Sequence, residues 1–123
     1  MIRILVVDDH VDYRLVLVGM LEGQPDLEVV SQAGSLAEAG TMLEGVDVAL
    51  VDRGLPDGDG LGLMSNLRAV NPGARVLVIS ATVEMRHPED AIEAGADGVI
   101  DKVDAPERMF AAIRGEGGGK GSS

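Results

Sequence analysis

The sequence has no cysteine, no tryptophan, one phenylalanine and one tyrosine. Because cysteine is missing, neither a disulfide framework nor a thiolate metal site can form. Because aromatic side chains are so few, the 46% of residues that are hydrophobic must build an aliphatic core. At 123 residues the chain has the length of one compact domain, which buries roughly two-thirds of its unfolded surface.

Basic residues are also scarce. Ten lysines and arginines stand against 21 aspartates and glutamates, which gives a net charge of -11. This charge opposes binding of the domain to the phosphates of nucleic acids, and it favours the binding of divalent cations.

A long apolar run is absent from the N-terminus. The run from Met1 to Val7 is followed directly by Asp8 and Asp9. It is too short for the core of a signal peptide and far too short to span a membrane. We therefore expect a cytoplasmic protein without membrane contact.

Short apolar runs rich in β-branched residues recur along the chain instead. They are Ile2 to Val7, Leu27 to Val30, Val46 to Val51, Val76 to Ile79 and Val99 to Ile100. Continuous hydrophobicity is typical of parallel strands that are buried on both faces. Segments with helical spacing separate the runs, so the sequence predicts an α/β domain with a doubly wound, five-stranded parallel sheet and five flanking helices.

Apolar spacing and capping residues predict where the helices lie. Three predicted apolar faces consist of Leu15, Val18 and Leu21, of Leu36, Ala39 and Leu43, and of Leu61, Met64, Leu67 and Val70. Ser35 and Glu38 form a capping box for the second helix. Gly95 suits the end of the fourth helix, and Pro106 suits the first turn of the fifth.

The folded domain is expected to cover residues 1–114. Residues 115–123 are rich in glycine and serine. They are either a flexible tail or the start of a linker to an output domain that this chain lacks.

Polar residues follow the predicted strands at the point where each strand ends. Asp8 and Asp9 follow the first strand, Asp52 the third, Ser80 the fourth and Lys102 the fifth. In open α/β sheets, ligands bind outside the carboxyl ends of the strands. We therefore expect these side chains to converge on one edge of the sheet.

Three clustered carboxylates repel one another, and a divalent cation removes that conflict. Ligation by oxygen alone is what Mg²⁺ prefers, and Mg²⁺ often takes phosphate as a further ligand. A metal and one lysine would neutralise a transferring phosphoryl group, for which a carboxylate can serve as the covalent acceptor. The residues therefore indicate magnesium-dependent phosphoryl chemistry.

Four motifs match a known family in its order along the chain. They are Val6-Val7-Asp8-Asp9-His10, Val51-Asp52-Arg53-Gly54-Leu55-Pro56-Asp57-Gly58-Asp59-Gly60, Val78-Ile79-Ser80-Ala81 and Gly95-Ala96-Asp97-Gly98-Val99-Ile100-Asp101-Lys102. With these motifs, residues 2–114 resemble the CheY-like receiver domains of two-component response regulators. The Asp-Asp-His opening and the Gly-Ala-Asp-Gly block are most similar to receivers of LuxR/NarL-type transcriptional regulators, whose output is a C-terminal helix-turn-helix.

The resemblance implies the flavodoxin-like strand order 2-1-3-4-5 and a magnesium site. Asp9 would bind Mg²⁺ directly and Asp8 would bind it through water. Gly54 would contribute its backbone carbonyl, and Asp52 would be a further ligand.

The resemblance also implies that Asp52 accepts a phosphoryl group from a sensor histidine kinase. Ser80 would donate a hydrogen bond to that group, Lys102 would pair with one of its oxygens, and the small Ala81 would leave it room. The implied function is a signalling switch that catalyses only its own phosphorylation and dephosphorylation. It would control transcription through a DNA-binding output domain, and the resemblance also allows a homodimer.

Two other functions stay open. A degenerate receiver would act as a phosphorylation-independent binding module, because Arg53, Gly54 and Val99 depart from the family pattern. A magnesium-dependent aspartyl-phosphate phosphohydrolase would share the acidic chemistry. Such enzymes usually begin with an Asp-x-Asp motif and carry a cap insertion, for which this chain has no room.

Val99 stands where receivers usually carry an aromatic residue, three positions before the lysine. Val99 is β-branched with few rotamers and has no ring to move. We therefore expect activation to reshape residues 81–94, which include His87 and Pro88. Pro88 is expected to delay the start of the fourth helix.

Other candidate residues have ordinary structural interpretations. Asp57, Asp59 and Asp97 are interpreted as turn formers or helix caps. His10 and His87 are interpreted as exposed loop histidines.

Overall fold

A computed structural model describes residues 1–59, 62–80, 95–102 and 106–115, with Asp59 and Ser80 described by their backbone only. The predicted fourth helix, with His87 and Pro88, lies outside the described residues. So do Leu61, Ala81 and the tail after Gly115.

Five parallel strands form one sheet. They are β1 (Ile2–Val7), β2 (Leu27–Ala33), β3 (Val48–Asp52), β4 (Arg75–Ser80) and β5 (Gly98–Asp101). Their order is β2-β1-β3-β4-β5, and every neighbouring pair is parallel. The predicted order 2-1-3-4-5 is confirmed. The sequence did not predict a short antiparallel hairpin, in which Gly54–Leu55 pairs with Gly58–Asp59 directly after β3.

The described residues contain four helices. They are α1 (Val11–Glu22), α2 (Leu36–Ala39), α3 (Leu63–Val70) and α4 (Pro106–Arg114). Helix α4 is the fifth helix of the sequence prediction, and it begins at Pro106 as expected. None of the helices in this part of the chain has the length and apolar character needed to cross a lipid bilayer.

Apolar side chains cover both faces of the sheet. In β1, Ile4 and Val6 pack in the cluster that includes α1 and α4, and Leu5 and Val7 pack in the cluster that includes α2 and α3. All four residues are at most 1% exposed. Burial on both faces is the reason why the strands are continuous apolar runs rather than alternating ones.

The buried face of α1 differs from the predicted one. Leu15 is 57% exposed, whereas Leu17 and Leu21 are fully buried. Arg14 donates a hydrogen bond from Nη1 to the backbone carbonyl of Asp8 at 2.7 Å, which fixes its side of the helix toward β1. Leu15 is therefore turned outward, and its assignment to the core was wrong.

Helix α3 shows a similar difference. Leu63, Met64 and Leu67 are buried, but Val70 is 49% exposed. Because the buried face is centred on the first three, Val70 lies at its margin. Its assignment to the core was wrong as well.

Helix α2 is shorter than the apolar spacing predicted. It ends at Ala39, although Leu43 is also buried. Gly40 follows it, and the Thr41 hydroxyl donates a hydrogen bond to the carbonyl of Glu38 at 2.8 Å. This bond satisfies a carbonyl at the helix end, so the chain turns away before Leu43.

The predicted cap of α2 is confirmed for Ser35. Its Oγ accepts a hydrogen bond from the Glu38 N–H at 3.1 Å. The Glu38 carboxylate does not return the bond to Ser35 but accepts one from the Gly34 N–H at 2.8 Å. The capping box is therefore displaced by one residue.

A second cap of α2 comes from the hairpin after β3. Asp57 accepts hydrogen bonds from the N–H groups of Leu36 and Ala37 at 2.9 and 3.0 Å. Gly58 follows with a φ of +145°, and a Cβ there would lie 3.0 Å from the Leu36 side chain. The interpretation of Asp57 as a helix cap is confirmed, and the capped helix lies 20 residues earlier in the chain.

Two arginines hold the end of α4 at the amino edge of the sheet. Arg75, the first residue of β4, donates hydrogen bonds to the carbonyls of Ala112 and Ile113. Arg114 donates to both carboxylate oxygens of Asp26 at 2.7 and 2.8 Å. The last turn of α4 is thereby tied to β4 and to the segment that precedes β2.

Candidate functional site

Three charged side chains meet at the carboxyl edge of the sheet. Asp8 directly follows β1, Asp52 is the last residue of β3, and Lys102 directly follows β5. The sequence placed these residues at strand ends, and the parallel sheet brings them together although they are spread along the chain.

The two carboxylates at this edge are deeply buried. Asp8 is 1% exposed and Asp52 is 2% exposed, and they are the buried charged residues of the described part of the chain. The backbone turns after the strands hold them: Asp8 Oδ1 accepts from the His10 N–H at 2.9 Å, and Asp52 Oδ1 accepts from the Gly54 N–H at 3.1 Å. In each carboxylate, Oδ1 is thus bound by a backbone N–H, and Oδ2 is available to another partner.

The ammonium of Lys102 lies between the Oδ2 atoms of Asp8 and Asp52. Its Nζ is 3.3 Å from Oδ2 of Asp52 and 3.3 Å from Oδ2 of Asp8. Burial opposes the charged ammonium, but the negative charges of Asp52 and Asp8 outweigh it and raise the pKa of Lys102. The site therefore holds a charged lysine against two buried carboxylates.

One acceptor at the site has no hydrogen bond. Asp8 Oδ2 is buried and accepts none from the described residues, although the Lys102 ammonium is nearby. The charge of this buried oxygen is balanced by the ammonium of Lys102 rather than by a well-directed hydrogen bond. The position suits a ligand that brings positive charge.

Asp9 and His10 lie at the mouth of the site. The side chain of Asp9 is 34% exposed and that of His10 is 67% exposed, which confirms His10 as an exposed loop residue. The imidazole nevertheless approaches the acids: its Nδ1 is 3.3 Å from Asp8, 3.4 Å from Asp9 and 3.9 Å from Asp52. One ligand atom from each of the four residues lies within 4.8 Å of the others.

Sequence reasoning missed two residues of α1 that support the site. The ring of Tyr13 has its centroid 4.8 Å from Lys102 Nζ, and burial, partly offset by the positive charge of Lys102, raises the pKa of Tyr13. Arg14 holds the backbone of Asp8. Their position one turn after the paired acids was the available signal, but its use requires knowing which side of α1 faces the sheet.

Other predicted positions are described only in part. The backbone of Ser80 ends β4 in register with Asp101, and its side chain lies outside the description, as does Ala81. Gly54 is placed two residues after Asp52 in the hairpin, and its role as a carbonyl ligand stays a prediction. Val99 is half-buried and packs against the core cluster that includes α2 and α3.

Asp97 stabilises the fold at some distance from the site. Its Oδ2 accepts hydrogen bonds from Arg68 at 2.6 Å and from the Val76 N–H at 2.8 Å. These bonds tie the turn before β5 to α3 and β4. The structural interpretation of this aspartate is confirmed.

Residues 4–114 match the sequence pattern of the response regulator receiver domain. The strand order and the meeting of Asp8, Asp52 and Lys102 at the carboxyl edge agree with this match. The chain therefore belongs to the response regulator receiver domains of two-component systems.

The curated relatives of the chain include transcription regulators. It is 36% identical over 122 residues to the DNA-binding transcriptional activator DevR/DosR of Mycobacterium tuberculosis, a match that covers 98% of this chain and 56% of that protein. The chain thus spans about half the length of the curated relatives it matches.

Solved receiver structures show the same fold. The signal receiver domain of the response regulator NarL from Mycobacterium tuberculosis superposes with a TM-score of 0.81 at 29% identity, covering 94% of this chain and 98% of that chain. A response regulator protein from Burkholderia pseudomallei, solved with a phosphorylated aspartic acid, a calcium ion and citrate, gives a TM-score of 0.74 at 26% identity. That match covers 90% of this chain and 65% of the other.

Proposed function

We propose that this receiver domain is a phosphorylation-operated switch in which Asp52 accepts a phosphoryl group from a sensor histidine kinase. The observation that carries the proposal is the placement of Asp52 at the end of β3, 2% exposed, with Lys102 Nζ 3.3 Å from its Oδ2. The similar Burkholderia pseudomallei protein contains a phosphorylated aspartic acid, which supports the same chemistry here.

The reaction requires one bond to form and one to break. A carboxylate oxygen of Asp52 attacks phosphorus, the P–N bond of the phosphohistidine breaks, and the leaving histidine takes the electron pair and a proton from solvent. Lys102 would then pair with a phosphoryl oxygen instead of the bare carboxylates, and Ser80 would donate a hydrogen bond to another. The domain would catalyse only its own phosphorylation and dephosphorylation, as a switch rather than a metabolic enzyme.

We also propose a Mg²⁺ site at the same edge. The residues fit the ion, because Asp8, Asp9 and Asp52 offer hard oxygen ligands and Asp8 Oδ2 is buried without a hydrogen bond from the described residues. Asp9 would bind the ion directly, Asp8 would bind it through water, and Asp52 and the Gly54 carbonyl would complete the protein ligands. When bound, Mg²⁺ neutralises carboxylate and phosphoryl charge.

For the output we propose control of transcription. The chain is similar to a DNA-binding transcriptional activator and covers 56% of that protein. Residues 1–114 would be the receiver, and residues 115–123 would begin a tail or a linker to a helix-turn-helix domain. The net charge of -11 argues against DNA binding by the receiver itself, and the switch would act in the cytoplasm.

Intact-mass measurement after treatment with acetyl phosphate and Mg²⁺ tests the phosphoacceptor. We expect the parent protein to gain one phosphoryl group and Asp52→Asn to gain none, because an amide is not a carboxylate nucleophile and changes the shape of the site little. Asp12→Asn makes the same chemical change at an exposed position on α1, and it should be labelled like the parent.

Two outcomes would contradict the proposal. Labelling that persists in Asp52→Asn would place the phosphoryl group on another residue. A parent protein that is not labelled under conditions where Mg²⁺ binds would favour the degenerate binding module.

A further inference from the structure

We propose that His10 supplies a nitrogen ligand to the metal site and thereby raises the affinity of this receiver for divalent transition metals more than its affinity for Mg²⁺. The inference rests on the proposed function, since it adds a ligand to the metal site proposed there. It concerns which ions the site selects.

The first observation is the position of the imidazole. Ligands about 2.1 Å from one ion lie roughly 3.0 Å apart in octahedral geometry and roughly 3.4 Å apart in tetrahedral geometry. His10 Nδ1 lies 3.3 Å from Oδ1 of Asp8 and 3.4 Å from Oδ1 of Asp9. The separation from Asp9, which would bind the ion directly, is the one expected between two ligands of one ion, whereas the contact with Asp8 is a hydrogen bond in this structure.

The second observation is the buried oxygen Asp8 Oδ2, which receives no hydrogen bond from the described residues. A carboxylate that is 1% exposed, with the Lys102 ammonium 3.3 Å from this oxygen, indicates a site built for positive charge. The cation-binding character of the cluster therefore does not depend on the mere proximity of acids.

The third observation is that the side chain of His10 does not cap α1. It is the N-cap residue of the helix, but its side chain makes no capping hydrogen bond. N-cap positions favour serine, threonine, aspartate and asparagine because those side chains accept a hydrogen bond from the first turn. A residue that forgoes the cap while approaching three carboxylates has a local role outside the helix.

The chemistry of nitrogen ligands gives the selectivity. Mg²⁺ prefers oxygen ligands and keeps several waters, so it gains little from an imidazole. Imidazole suits the later divalent transition metals. The three carboxylates would bind both classes of ion, and His10 would raise the affinity for transition metals above the affinity for Mg²⁺.

Titration calorimetry of the whole chain with Co²⁺ and with Mg²⁺, at mildly alkaline pH where free imidazole is neutral, measures this separation. The test variant is His10→Asn, whose amide oxygen lies as many bonds from the backbone as Nδ1 but is not a nitrogen ligand. We expect Co²⁺ affinity to fall about tenfold and Mg²⁺ affinity to change less than about threefold. His87→Asn, at the other histidine of the sequence, is the matched control and should change neither.

Proton NMR of the Co²⁺-loaded protein supplies a second measurement. Coordination through Nδ1 leaves a proton on Nε2, which should give a strongly shifted signal that exchanges with water and is missing from His10→Asn. If Mg²⁺ binds but His10→Asn leaves Co²⁺ affinity unchanged, or if the parent lacks the shifted signal, the inference fails and the proposed function stands. If the parent binds neither ion, the proposed metal site fails together with the inference.

Discussion

At the residue scale, the resting site depends on Lys102. Its ammonium lies between buried carboxylate oxygens of Asp8 and Asp52. Removing one partner of a buried ion pair leaves the other charge uncompensated. Because the Lys102 side chain is still 17% exposed, water reaches part of it and the cost falls below that of a fully buried pair.

We expect Lys102→Met to lower the free energy of unfolding without Mg²⁺ by about 2 kcal/mol, since two buried carboxylates lose their counter-charge. The folded-state pKa of Lys102 is raised, so this contribution is complete below the ordinary value of 10.5 and is lost only as pH rises through the folded-state pKa. Urea unfolding at neutral pH therefore measures all of it.

The same substitution should strengthen the stabilisation by Mg²⁺, because the ion no longer competes with an ammonium for the carboxylates. Urea unfolding with and without Mg²⁺ compares the variant with the parent, and Lys120→Met controls for loss of a lysine elsewhere. If Mg²⁺ stabilises both equally, the lysine and the metal do not share the carboxylates.

The strand-end residues of the site could be predicted because Asp8 and Asp52 stand directly after apolar runs and Lys102 stands two residues after one. The convergence of Asp8, Asp52 and Lys102 followed from the rule that the carboxyl ends of parallel strands lie at one edge of the sheet. Tyr13 could not be predicted, because its place beside Lys102 depends on the rotation of α1 about its axis. The contacts of His10 could not be predicted either, because they depend on the side-chain rotamer of an exposed loop residue.

At the scale of secondary structure elements, α2 depends on a residue from another part of the chain. A helix of four residues satisfies few of its own N–H groups, and Asp57 accepts two of them. These hydrogen bonds from Leu36 and Ala37 hold the pKa of Asp57 below its ordinary value of 3.8. The hairpin that follows Asp52 is thereby fastened to α2.

We expect Asp57→Asn to lower the urea midpoint, because the amide offers one acceptor oxygen and no charge to the helix end. A lowered folded-state pKa gives stability that is present above the ordinary value of 3.8 and is lost as pH falls through the folded-state pKa. The difference between parent and variant should therefore be constant above about pH 5 and shrink below about pH 4. A difference that persists unchanged at low pH would exclude the carboxylate as its cause.

The five strands of the sheet could be predicted from the sequence, although β2 runs on to Ala33 and the strand order came from the family resemblance, whereas the helices could be predicted only in part. Buried strands consist of uninterrupted apolar residues, so the five apolar runs predicted the five strands. Helical spacing alone did not show that Gly40 ends α2 before Leu43, or that Leu17 rather than Leu15 faces the sheet. Hydrogen bonds from Thr41 and Arg14 accompany both outcomes, and apolar spacing alone does not predict these bonds.

At the scale of the whole molecule, the proposed phosphorylation of the buried Asp52 would have to change a surface that a partner can bind. A phosphoryl group adds about two negative charges and three strong acceptors. Val99 is half-buried against the core and has no ring to swing between two positions. Under the proposed function, the change would therefore pass through another element that has two arrangements.

We expect that element to be the stretch of residues 81–94, which follows β4. Hydrogen exchange with and without a beryllofluoride mimic of the phosphoryl group should show slower exchange there, because Ser80 and Lys102 would be drawn to the new acceptors. Ser80→Ala should weaken this response and leave Mg²⁺ binding intact. A response confined to α1 or α2 would contradict the proposed route.

Because Arg75 binds the last turn of α4, the end of this helix and the acidic site lie at opposite edges of the sheet. The six residues of β4 span about 20 Å, so the backbone leaves α4 at the pole opposite to Asp52. A fluorophore or a foreign domain joined after Gly115 would leave the approach of a phosphate donor unobstructed. If the proposed function holds, the domain could be fused to a different output domain at residue 115 and still receive its phosphoryl group.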